Sequence, residues 1–142
     1  MATYMQGAIK SGDGFSETPT GVGTALLAQS ALVTFDADLV AEAQFVLPVG
    51  AQITSFSIDT LTAYNSATSA TLTIGSASAG SQYVGSVDAK TAGRAAPTLS
   101  AAQLTAMANI GTSTTVFATV TSVGQPTAGS TRVTVFYTGG SR

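Results

Sequence analysis

The sequence predicts an all-β subunit: an antiparallel β-sandwich or jelly-roll-like domain with an extended N-terminal arm and at most one short helix. Three observations predict it. From residue 26 onward, short segments alternate apolar and polar residues at a period of two, as half-buried strands do. Clusters of Gly, Pro, Asn and Ser interrupt those segments at short intervals, the spacing of strand connections. Residues rich in Thr, Val and Ile fill the segments themselves, and branched side chains suit a pleated surface. At 142 residues the chain fits one domain, with enough length to bury a core without staples.

Residues 1–25 are rich in Gly, Ser and Thr and include Gly12-Asp13-Gly14 and Pro19. Periodicity is weak there, so they read as an extended arm ahead of a domain over residues 26–142. Ala31, Val33 and Phe35 then alternate with Leu32 and Thr34. Phe45 and Leu47 lead into Pro48-Val49-Gly50, a turn separating two strands. The longest strand candidate runs from Ile53 to Tyr64. Phe56, Ile58 and Tyr64 share one parity while Ile53 and Leu61 take the other, and that switch predicts a bulge or bend.

Asn65 to Ser69 reads as a short loop and Thr71-Leu72-Thr73-Ile74 as a strand ending at Gly75. A short strand at Gln82-Tyr83-Val84 and a turn at Thr91-Ala92-Gly93-Arg94 follow. Ser100 with Gln103 three residues on matches a capping box, with Leu104 and Met107 behind it, which predicts a helix at about 100–108. Val116, Ala118 and Val120 form one face of a strand, and Val133, Val135 and Tyr137 one face of another. The Gly/Pro loop 122–129 between them predicts an antiparallel hairpin with one buried face.

The composition narrows function. There is no His, no Cys and no Trp, and 8% of residues are charged against roughly a quarter in an average domain. The commonest general base and the most reactive nucleophile are therefore missing, and neither a disulfide scaffold nor a thiolate zinc site is available. No Ser-x-x-Lys sequence occurs, and Gly21-Val22-Gly23 lacks the third glycine of a phosphate loop. A net charge of -2 with dispersed Lys10, Lys90, Arg94, Arg132 and Arg142 argues against a nucleic-acid partner. No apolar run approaches the roughly 18 residues of a membrane helix, and the first residues lack the pattern of a signal peptide. So sparse a charge with a mean hydropathy of +0.35 predicts a surface covered by sister subunits or a partner.

Few residues remain as candidates for chemistry. Asp36 and Asp38 with Glu42 could act as paired carboxylates toward a sugar, or offer oxygen ligands to calcium. A solvated turn between two strands is the plainer reading, so no catalytic residue, cofactor or metal is expected. Tyr83, Arg94 and Arg132 could line a binding face; alternatively, Arg132 projects from the last strand and blocks edge pairing. Tyr64, Tyr83 and Tyr137 would have to supply stacking in a carbohydrate-binding module, and Tyr137 falls on the buried face of its strand.

The order of segments also resembles a family. Leu47-Pro48-Val49-Gly50-Ala51-Gln52-Ile53-Thr54 leads into Ile58-Asp59-Thr60-Leu61-Thr62-Ala63-Tyr64-Asn65. Ser69 to Gly75, Thr91-Ala92-Gly93-Arg94 and Thr127 to Tyr137 follow. Over residues 45–138 the chain resembles the head decoration (cement) proteins of tailed bacteriophages, and related patterns occur in tail and fibre components. The resemblance implies an all-β, usually trimeric subunit bound to the major capsid protein on the virion exterior, without enzyme activity or cofactor. A tail, neck or fibre component, or a carbohydrate-binding module displayed on the particle, are the alternatives.

Overall fold

In the computed structural model the described residues are 25–36 and 39–139. They form β1 (Leu26–Thr34), β2 (Val40–Val46), β3 (Gln52–Thr62), β4 (Ser69–Gly75), β5 (Val84–Asp88), β6 (Gly93–Ala95), α1 (Ala101–Ala108), β7 (Thr115–Val123) and β8 (Ser130–Thr138). Residues 1–24 of the predicted arm lie outside this range.

The strands make two four-stranded antiparallel sheets, in the orders β1-β8-β3-β6 and β2-β7-β4-β5. The first strand pairs with the last, β2 with β7, β3 with β6, and β4 with β5. Such nested pairs are a long ribbon folded on itself. Wound around a core, the ribbon adds the contacts β3–β8 and β4–β7 and becomes a jelly roll.

This topology overturns the predicted hairpin of the last two strands. β7 and β8 alternate as expected, with Val116, Ala118, Val120, Val133, Val135 and Tyr137 all buried, but they belong to opposite sheets. The loop between them crosses the end of the sandwich and docks on the β3–β4 connection. The Asn65 side chain accepts from the backbone N–H groups of Thr127 (2.8 Å) and Ala128 (3.1 Å). Gly129, at φ 153°, brings its backbone so close to the Tyr64 ring that a Cβ would stand 2.5 Å from it. Among the described strands, β4 and β5 are the one pair that follow each other in sequence and also pair.

Other expectations shift by smaller amounts. β3 shows register breaks at Ile53/Ser55 and Thr60/Thr62, matching its switch of parity. The short strand after Gly75 begins at Val84 and not at Gln82. The Gln82 Oε1 instead accepts from the Ser76 N–H at 3.0 Å and closes the β4–β5 loop. Thr91 to Arg94 is not a simple turn, because Gly93–Ala95 pairs with Ile58–Thr60 as β6. The capping box forms: Ser100 Oγ accepts from Gln103 N–H and Gln103 Oε1 accepts from Ser100 N–H. Met107 is buried, whereas Leu104 faces outward.

The core lies between the sheets. Val33, Ile53, Ile58, Val133 and Val135 come from one side and Phe45, Leu72, Ile74, Val84, Val116 and Val120 from the other. Burying each such side chain contributes roughly 1.5–3 kcal/mol, which makes this layer the main source of stability. Thr60 and Thr131 are buried as well, and their hydroxyls bond each other at 3.2 Å, so neither is left unsatisfied.

Candidate functional site

Two of the three predicted carboxylates, Asp36 and Glu42, fall among the described residues. Asp36 lies beyond the end of β1, in the connection to β2, and its carbonyl accepts from the Leu39 N–H at 3.2 Å. Asp38 falls outside the described residues. Glu42 sits on β2, where Oε2 accepts from the Thr119 hydroxyl (3.2 Å) and Oε1 from the Gln44 amide (3.3 Å). Among the described residues no three His, Cys, Asp or Glu side chains stand close enough to hold a metal ion.

The proposed sugar platform is likewise not presented. Tyr64, Tyr83 and Tyr137 are all buried, so none offers a ring face to a ligand. The Tyr64 hydroxyl donates to the Val33 carbonyl at 2.7 Å, and burial pushes its phenol up to about 12. Burial also raises Tyr83, whose ring packs near Phe56 with centroids 6.4 Å apart. Tyr83 is therefore separated from the surface on which Arg94 and Arg132 lie. An open groove of about 340 Å³ runs between β5 and the segment 95–98, and Asp88 is the charged residue among those lining it.

A row of three charged residues, Arg94, Asp59 and Arg132, crosses the β1-β8-β3-β6 sheet on neighbouring strands. Arg94 grips Asp59 with both arms of its fork, Nε–Oδ1 at 2.6 Å and Nη2–Oδ2 at 3.2 Å. These hydrogen bonds hold the Asp59 carboxyl below its usual value, with smaller help from Ser57 and Arg132. Arg132 is opposite Asp59 on one side and Leu32 on the other. Since β8 is an interior strand, Arg132 does not guard an edge as the sequence suggested. Arg94, on the short edge strand β6, occupies that position instead.

The most distinctive surface is apolar. Eleven large hydrophobic side chains are exposed among the described residues, and seven belong to residues 26–46. Leu26, Leu27 and Leu32 are on β1, Val40 and Val46 on β2, with Phe35 and Leu39 between the strands. Both strands are sheet edges. They touch each other, and the Gln29 Nε2 donates to the Val46 carbonyl (2.8 Å) and the Tyr137 hydroxyl (3.0 Å). Neither strand contains Lys, Arg or Pro, the residues that usually blunt an edge. Sequence reading predicted a covered surface without locating it. A signal was present in Leu26, Leu27 and Leu32, which put apolar groups on both parities of one strand.

Fold and surface thus define a jelly-roll subunit with one long apolar edge that no strand or helix among the described residues covers. No protein-family model matches the chain, and no curated protein matches its sequence. In structure it is similar to a chain of the cyanophage Pam1 capsid asymmetric unit, with a TM-score of 0.57 and 21% identity. The likeness covers 94% of this chain and 99% of that one. At this identity it shows a shared fold, nearly end to end. No helix among the described residues is long and apolar enough to cross a membrane.

Proposed function

We propose that this chain is a virion structural protein, a head decoration subunit that binds the outer surface of a major capsid protein lattice as a homotrimer and performs no chemistry. The observation that carries the reading is the near full-length likeness to a chain of a phage capsid asymmetric unit. The surface supports it. An edge lined by leucine and valine, with Glu42 the one charge in its two strands, can be covered by protein at lower desolvation cost than a heavily charged one. The scarcity of charge over the whole chain has the same meaning. Function would come from avidity: several modest contacts per trimer, engaged together, hold far more tightly than one. Because the protein binds the assembled shell and not its separated parts, it stabilises the shell by mass action.

Heads carrying the protein should melt at a higher temperature than heads stripped of it, and adding the purified protein back should restore the difference. Equal melting of the two would remove the cement role. Labelling on the tail or neck, with none on the head, would instead place it in the other part of the particle.

A further inference from the structure

We infer that the two open edges are complementary halves of one interface, so that β1 of one copy packs on β2 of the next copy of this chain. The inference rests on the reading above in one respect, that the chain works as an assembly of copies. Four observations lead to it. Both strands expose apolar side chains, and among the described residues each is paired on one side alone. They are similar in length, nine and seven residues, so one can cover the other. Their charges are opposite in kind. Beside β1 stands the exposed Arg132, the register partner of Leu32, and on β2 stands the exposed Glu42. Two copies of the β1 flank would bring Arg132 against Arg132, and two copies of the β2 flank would bring Glu42 against Glu42. Pairing β1 with β2 joins unlike charges around an apolar centre. Because β1 and β2 touch within one copy, this pairing forms either reciprocally about a two-fold axis or head-to-tail in a closed ring, and the mass of the parent assembly separates the two.

The test uses full-length purified protein without any capsid, so it is decided independently of where the protein sits on a virion. One variant, Leu26→Asp with Leu32→Asp, spoils the β1 flank; another, Val40→Asp with Val46→Asp, spoils the β2 flank. All four positions are exposed, and an unchanged far-UV circular dichroism spectrum shows that each variant still folds. Sedimentation should find the parent protein assembled, each variant alone as a monomer, and an equimolar mixture of the two as a species of two chains, joined through the one intact pair of flanks. A monomeric parent protein overturns the inference. So does a β1 variant that dissociates while the β2 variant keeps the parent's mass, the result expected if β1 pairs with itself or takes up residues 1–24 of a neighbour. A mixture that stays monomeric does the same. Gentler substitutions guard against misfolding: Arg132→Glu and Glu42→Arg should each weaken assembly by about tenfold, and the double variant should recover most of the loss. Failure of the double variant to recover overturns the charge pairing that selects β2 as the partner of β1.

Discussion

The two edges of the sandwich solve the same physical problem in opposite ways. At one edge β6 has three residues and β5 has five, so little backbone is left unpaired. Arg94 is clamped onto Asp59 there, Asp88 ends β5, and α1 follows directly, tied back by Gln103 Nε2 donating to the Ser81 carbonyl at 3.1 Å. At the other edge β1 and β2 run for nine and seven residues, with Glu42 the one charged residue in the two strands. Short strands, charge and a covering element are the usual protections against unwanted pairing. Among the described residues these features gather on one side, and the proposed self-interface takes up the bare one. A sequence able to guard one edge left the other open, as expected of a face that is meant to be occupied.

The largest effect that sharpens this contrast is between core and open edge. Leu72→Ala, at a fully buried position, should cost about 2–5 kcal/mol in urea unfolding. Leu32→Ala, at a half-exposed one, should change the stability of the dilute chain by no more than about 0.5 kcal/mol while weakening self-association. A large folding cost at Leu32 would mean that the edge belongs to the core and is not free to bind.

Tyr64 anchors the open edge, since its hydroxyl holds the Val33 carbonyl of β1. Tyr64→Phe should cost about 1 kcal/mol at neutral pH. It should also flatten the alkaline arm of the stability profile. The phenol is raised from 10.0 to about 12 on folding, so its contribution is complete below pH 10 and is lost as pH rises toward 12. An unaltered alkaline arm in the phenylalanine variant would assign that loss to other groups, Tyr83 among them.

On the guarded side, Ser100→Ala removes the cap of α1 and should cost about 1 kcal/mol by thermal melting. Self-association should not change, because α1 packs on β3 and supplies none of the exposed apolar groups of β1 and β2. The smallest effect is expected for Arg94→Ala, which frees an exposed ion pair. Its clearest readout is the Asp59 carboxyl, which should titrate closer to its ordinary 3.8 by nuclear magnetic resonance. Asp59 is lowered in the folded chain, so the pair contributes at neutral pH and fades as pH falls through the acid range; the variant should lose that acid dependence.

Much of the fold was legible in particular residues. The alternation of Thr71 to Ile74, the parity switch within β3 and the Ser100/Gln103 box each describe local geometry, and each appears where the sequence placed it. The partners of β7 and β8, which lie in opposite sheets, were not legible. Alternation says which face of a strand is buried, but it carries no information about the strand's neighbour. That was settled by Gly129 seating against Tyr64 and Asn65 capturing the loop, contacts between residues more than 60 positions apart. The candidate site divides in the same way. A covered surface could be expected from sparse charge, yet its position could not, because exposure of Leu26 or Val46 depends on which strands end up at the edge of a sheet. Tyr137 is buried as its strand's alternation predicted, whereas Tyr64 and Tyr83 are apolar enough to bury and polar enough to suggest a binding face.

What the sequence determined by itself is the class of the fold and the absence of imidazole and thiol chemistry. Both follow from residue type and from a period of two, which each segment expresses alone. What the tertiary structure decided is the winding of the ribbon, and with it which strands pair, which arginine guards an edge and where the apolar groups stay in contact with water. These depend on closing contacts across the whole chain, and the free energy of such closure belongs to no single segment.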